Sequence, residues 1–259
     1  MGGRISAAVT LGDDIAPSKS GRVNLDEHCR TQSIPLYKTA NINSRECIDW
    51  LIGHDLDWLF VIGWSQIARR QVLDTAVRGA IGMHPSLLPI GRGRAAIPWA
   101  ILKQLPETGV SLFQLSEGVD SGPLLRQERI PLDPRETATT LYAKVEVAHR
   151  KLIRHAWPLI EEGLLTPVAQ DETISTVWPG RTSEDGRLNA RMSVEEADRL
   201  IRATTRPYPG AFLDRGNERL RIWRAIPATS IITVADDRFE RIRFADGDLL
   251  ALDLDREAC

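Results

Sequence analysis

The chain of 259 residues is short of cysteine and aromatic residues, and it has almost no net charge. The three cysteines, Cys29, Cys47 and Cys259, show no metal-binding spacing and no even-numbered disulfide framework. Reduced thiols in a cytoplasmic protein are therefore expected. No stretch approaches the roughly 18 apolar residues of a membrane span, and Met1-Gly2-Gly3-Arg4 carries no apolar signal core, so no membrane partner is expected. The 33 Lys and Arg against 35 Asp and Glu leave a formal charge of −2. That balance gives no global pull toward nucleic acid or anionic lipid. Arginine far outnumbers lysine, which reads as codon bias unless the arginines cluster. Of the five histidines, His149 and His155 lie six apart. That spacing is off the same-face intervals of a helix, and no metal site is expected.

What is present is ordinary globular composition, 42% apolar and 26% charged, in a length that suits one large domain or a medium and a small one. Up to about Pro167, short apolar runs alternate with helical patterns. Ile5–Leu11 reads as a strand. Asn43 is placed to cap a helix through Leu51, with Glu46 completing an N-x-x-E box. Asp57–Gly63 is a continuous apolar run, the pattern of a central parallel strand buried on both faces. Ala80–Met83 and Gly109–Leu115 read as further strands, and Pro98 suits the first turn of a helix through Leu102. Asp133-Pro134-Arg135-Glu136 predicts a capping box opening a long helix to about Glu162. Strands alternating with helices imply an α/β fold with a mostly parallel sheet. Beyond Pro167 the texture changes. Gln170–Gly180 is a polar connection, Ser193-Val194-Glu195-Glu196 starts a helix to about Thr204, and short apolar runs follow at Ala211–Leu213, Arg219–Trp223, Ile231–Val234, Arg241–Phe244 and Leu249–Leu252. These predict a small, mostly β unit.

Two of these strands deliver proton-handling groups. Met83 leads into His84-Pro85-Ser86-Leu87-Leu88-Pro89, and the run to Leu115 leads into Glu117-Gly118-Val119-Asp120-Ser121-Gly122. Ligands of open α/β sheets bind at strand carboxyl ends, so an imidazole and a carboxylate there point to general acid/base chemistry. The alternative is that His84 caps a strand end and Asp120 shapes a turn.

In order and spacing, these pieces resemble the formyltransferases that use 10-formyltetrahydrofolate. The resemblance rests on Phe60-Val61-Ile62-Gly63-Trp64-Ser65-Gln66, on the His84–Pro89 run with its Gly91-Arg92-Gly93-Arg94 loop, on Pro98-Trp99-Ala100-Ile101 and on Glu117–Gly122. Arg181–Gly186 and Arg202–Ala211 look like the C-terminal extension of the sugar and tRNA branches. The resemblance implies a Rossmann-like catalytic domain over residues 1–167, without the usual first strand and helix, and a helix with a small β domain over 175–259. It implies an N-formyltransferase with 10-formyltetrahydrofolate as formyl donor. His84 and Asp120 match the catalytic histidine and aspartate. Gln66, Ile67, Ala68, Glu117, Gly118, Val119 and Gly122 would border the folate, and Ser65, Ser86, Arg92 and Arg94 the substrate.

One residue departs from the pattern: Gly82 stands where the family places an asparagine two residues before the histidine. Loss of one oxyanion donor costs roughly a hundred- to a thousandfold in rate. Three consequences stay open: a donor relocated to Ser65, Gln66 or a water, a slow enzyme, or a relative that binds folate or a nucleotide sugar without transfer. The near-neutral charge and short extension disfavour tRNA. The expected acceptor is an amino sugar on a nucleotide, in a homodimeric enzyme. A peptide, a siderophore precursor and methionyl-tRNA remain alternatives.

Overall fold

The structure is a computed structural model that describes residues 3–15, 20–228 and 239–258. Its contacts divide the chain into two compact units, one built from the chain up to Arg94 with Thr108–Ile130 and Val145–Trp178, the other from Ala95–Glu107, Pro131–Lys144 and the chain from Pro179 onward.

In the first unit, β1 (Ala8–Leu11) and β2 (Leu36–Thr39) form a parallel pair with Ala8 opposite Leu36, and the short helix α1 (Asp26–Thr31) lies between them in the chain. A separate four-stranded sheet has the order β3 (Leu59–Ile62), β4 (Ala80–His84), β6 (Glu107–Gln114), β7 (Leu124–Pro131). β3 runs parallel to β4, as β1 does to β2, whereas β6 runs antiparallel to β4, so the four-stranded sheet is mixed. The central position expected for Asp57–Gly63 is corrected. Among the described residues β3 bonds on one side only, to β4, and lies at the sheet edge with Ile62 50% exposed. The strand buried along its whole length is β4. Helices α2 (Arg45–Ile52) and α3 (Arg70–Leu73) bury Cys47, Ile48, Leu51 and Val72 against Val9, Tyr37 and Leu59.

The N-terminus of α2 differs from expectation by one residue. Ser44, not Asn43, accepts the Cys47 N–H, so the N-x-x-E box does not form. Asn43 is used elsewhere: its Oδ1 accepts the Arg69 N–H and its Nδ2 donates to the Ile67 carbonyl. A similar shift occurs further on. Asp133 and Glu136 bond to each other as a free-standing turn, and α5 (Ala138–Glu161) begins after it with Thr137 accepting from Thr140 N.

The second unit holds α4 (Ala96–Leu102), α6 (Val194–Thr204) and an antiparallel sheet of order β11 (Glu240–Arg243), β12 (Asp248–Ala258), β10 (Glu218–Pro227), β9 (Ala211–Arg215). The Ser193/Glu196 capping box starts α6 as the sequence suggests. The helix buries Ala197 and Ile201 against Ile222, Ile242 and Leu249 of the sheet. The run Ile231–Val234 lies outside the described residues. Two short strands, β5 (Arg92–Gly93) and β8 (Val177–Trp178), pair in parallel in the first unit and matter for the site. Among the described residues no helix is long and apolar enough to cross a membrane.

One buried charge anchors the second unit. The Asp198 carboxylate, 3% exposed, accepts from Arg135 Nη1 and Nη2 and from Arg202 Nε. Arg135 is half exposed and Arg202 keeps its bond to the Glu136 carbonyl, so the loss is that of charge-assisted hydrogen bonds rather than of a fully buried pair. We therefore expect Asp198→Ala to cost about 1–3 kcal/mol, read as a fall in the urea midpoint with unchanged slope.

Candidate active site

The site is built outward from the end of β4. His84, 8% exposed, closes the strand, and the chain then turns through residues 85–91. Polar groups clamp this turn from beneath. Ser111 Oγ donates to the Ser86 carbonyl and accepts from Leu88 N, and Gln127 Nε2 donates to the Leu88 carbonyl and to Ser111 Oγ. Ser86 Oγ donates within the turn to the Ile90 carbonyl. Gly91 N donates to Thr176 Oγ1. The Trp178 ring lies against Gly91, where a Cβ would come within 2.5 Å of it, and the residue has φ +77°. Only glycine tolerates both.

The clamp presents the Gly91 carbonyl to His84 Nε2 at 2.7 Å. A carbonyl oxygen only accepts, so Nε2 carries a proton and Nδ1 points the other way. There Asp120 Oδ2 stands 3.5 Å from Nδ1. The same oxygen accepts the Gly93 N–H at 2.8 Å. Asp120 itself has φ +51°, a left-handed conformation costing about 1–2 kcal/mol in a residue with a Cβ. The contacts that hold it there are main chain and side chain together. Gly122 fits so closely beneath the Gln114 carbonyl that a Cβ would overlap it at 1.8 Å. The result is an imidazole and a carboxylate that face each other at 3.5 Å, held by two backbone groups of one loop. Together they can accept a proton from one partner and return it to another.

The wall at Gly82 is apolar. A Cβ there would meet Leu115 Cδ2 at 2.8 Å and Phe113 Cε1 and Cζ at 2.9 Å. β6 has filled the space that a polar side chain would need.

The other residues singled out in the sequence divide into groups. Gln66 is a staple: its Oε1 accepts Ile42 N and its Nε2 donates to the Ala40 carbonyl, joining the loops that follow β2 and β3. Ala68 is buried, while Ser65, Ile67 and Arg94 are exposed. Glu117, Gly118 and Val119 form the exposed rim of the Asp120 loop. Arg92 turns inward. Only 6% exposed, it donates to both Glu172 oxygens and to Gln170, and the bond to Glu172 raises its pKa. On α5, burial holds the His149 imidazole below the usual histidine range.

Sequence profiles of known families match both units. The formyl transferase profile matches residues 16–156, and the profile of the formyl transferase C-terminal domain matches residues 181–258. The chain belongs to the formyl transferase family. Solved structures share its fold. HypX from Aquifex aeolicus in complex with tetrahydrofolic acid aligns over 97% of the chain with 18% identity and TM-score 0.70, and the chain spans 44% of that protein's length. Methionyl-tRNA formyltransferase from Clostridium thermocellum aligns over 98% of each chain with 16% identity and TM-score 0.65. The N-formyltransferase from Helicobacter canadensis, in complex with folinic acid and dTDP-3-aminofucose, aligns over 96% of this chain and 99% of that one with 16% identity and TM-score 0.66.

The residues present fit the formyl donor of the family. Ile67 at 58% and Val119 at 44% exposure leave apolar surface on the loops after β3 and β6, and Gly63 has open space where a Cβ would be. Apolar surface beside exposed main chain suits a flat heteroaromatic ring with a hydrogen-bonding edge. The groups missed in the sequence are Asn43, Ser111, Gln127, Gln170, Thr176 and Trp178. All act through backbone atoms of the motif loops, and side chains of that kind carry no motif of their own.

The crowding at Gly82 makes its own forecast. Gly82→Asn should lower stability by about 1–3 kcal/mol, the cost of overpacking a filled core, and should bring no gain in formyl transfer. A faster and equally stable variant would show that the space is open.

Proposed function

We propose that this chain transfers a formyl group from 10-formyltetrahydrofolate to a primary amine, and that the amine belongs to an amino sugar carried on a nucleotide. The observation that carries the transfer reading is the His84–Asp120 pair, with Nδ1 and Oδ2 3.5 Å apart and each side chain fixed by one backbone group. When bound, 10-formyltetrahydrofolate supplies an electrophilic formyl carbon and a nitrogen that can leave. The acceptor amine forms the new C–N bond as the old one breaks. The dyad takes the proton that the amine sheds, holds it between Nδ1 and Oδ2, and returns it to the departing nitrogen. With an apolar wall at Gly82, polarisation of the formyl oxygen falls to the dyad proton and to main-chain donors, and the rate is expected to be low.

The choice of amine rests on charge. Arginines of the C-terminal sheet are matched to carboxylates. Arg215 pairs with Glu240, Arg221 with Glu257, and Arg256 with Glu218 and Glu240. A surface neutralised in this way offers little to a polyanion such as tRNA, which releases counterions only to unpaired cations. A small nucleotide-linked amine has no such need. The similarity to the Helicobacter canadensis enzyme, over nearly the full length of both chains, supports the same reading. One observation favours a second reading, a relative that binds folate or a nucleotide sugar without transfer: Phe113 and Leu115 occupy the place of a polar donor beside Gly82.

A panel of amino-sugar nucleotides, free amines, peptides and methionyl-tRNA, incubated with 10-formyltetrahydrofolate and followed by mass spectrometry, separates these outcomes. We expect formylated amino-sugar nucleotide. Product from methionyl-tRNA or peptide alone would overturn the choice of amine, and ligand binding without any product would favour the second reading. His84→Ala and Asp120→Asn should each lower the rate about 10²–10⁴-fold with the thermal transition retained.

A further inference from the structure

The polar connection after α5 reaches into the site through one side chain. Gln170, 9% exposed, uses its whole amide. Nε2 donates to the Asp120 carbonyl at 2.8 Å and to the Gly122 carbonyl at 2.7 Å. Oε1 accepts from Arg92 Nε at 3.1 Å and Arg92 Nη2 at 2.8 Å. The orientation of the amide is therefore fixed: reversed, it would oppose two carbonyls with an oxygen and a guanidinium with an NH₂ group. Its two sets of partners belong to the two motif loops. Asp120 and Gly122 hold one half of the dyad. Arg92 sits between Gly91, whose carbonyl holds His84, and Gly93, whose N–H holds Asp120.

We propose that Gln170 is a positioning residue for formyl transfer, bridging the Asp120 and Arg92 loops so that the carboxylate stays within reach of His84 Nδ1. It touches no reacting atom. Glu172 completes the device from the other side, pairing with Arg92 Nη1 and Nη2 and so orienting the guanidinium that Gln170 reads. Asp120 needs such an anchor because its left-handed backbone has no glycine to make it easy. An exposed loop rim at Glu117–Val119 would otherwise let the carboxylate drift, and a misplacement of about 1 Å in a reacting group costs on the order of a hundredfold in rate.

Two variants test this. Gln170→Glu keeps the size and the Arg92 partner but sets an oxygen against two carbonyls. Its kcat should fall about a hundredfold with KM for donor and acceptor unchanged. The ratio of its activity to wild type should rise as pH falls, because the introduced carboxyl, once protonated, regains one O–H donor. The charged groups facing position 170 are Arg92, Asp120, Asp171 and Glu172. Gln170→Met removes the polar contacts without adding charge, and its test does not depend on turnover. His84, at the end of β4, faces Asp120, and its charge also acts on His149 of α5. By NMR at a fixed pH, the His84 Nδ1 resonance in Gln170→Met should move from its wild-type position to that of Asp120→Asn, since both remove the carboxylate from Nδ1. The activity arm rests on the formyl-transfer reading, whereas the NMR arm stands if no amine is turned over. A folded Gln170→Met with the wild-type His84 Nδ1 resonance, or a Gln170→Glu whose loss lies in KM alone, would overturn the proposal.

Discussion

The hydrogen bond from His84 Nε2 to the Gly91 carbonyl is the constraint around which the site is arranged. It fixes the tautomer of the neutral imidazole and aims Nδ1 at Asp120. A backbone acceptor can do this only if the backbone is held still. The turn from Pro85 to Gly91 is therefore bonded along its length to Ser111, Gln127 and Thr176. Gly91 and Gly93 are glycines because Trp178 packs where their Cβ atoms would lie and because both have positive φ. In this sense the short parallel pair of β5 and β8 belongs to the active site as much as β4 does. It brings Trp178 to the loop and pairs Arg92 with Val177 in register.

The dyad survives beside a wall that gives it no help. The space at Gly82 is filled by the side chains of Phe113 and Leu115. A donor could not be restored there without disturbing β6, whose core side chains Phe113 and Leu112 are almost fully buried. The change at Gly82 is thus coupled to packing.

Much of this was legible in the sequence where local chemistry decides. The Ser193 box, the helix after it and the strand ahead of His84 follow from spacing alone. His84 and Asp120 were visible because a motif surrounds them. Three features were not. Asn43 has the residue type of a helix cap, but Ser44 does that work and Asn43 bonds to the loop at Ile67 and Arg69, partners far away in sequence. The run at Asp57–Gly63 is apolar enough for a central strand, yet apolarity does not say how many neighbours a strand has, and β3 pairs with β4 alone. Gln170 lies in a polar stretch with no periodicity, and its role comes from the loops that happen to meet it. Arg92 was similarly ambiguous: an arginine on a glycine-rich loop suits a phosphate, but Glu172 and Gln170 take its donors.

Family membership and fold set the chemistry, and the proton on His84 decides whether this chain can carry it out. The most direct test is a nitrogen-15 NMR spectrum of histidine-labelled protein at neutral pH, with His84 assigned through His84→Gln. The account predicts a protonated Nε2 and an Nδ1 resonance that moves in Asp120→Asn. A neutral His84 carrying its proton on Nδ1, with Nε2 bare, would contradict it.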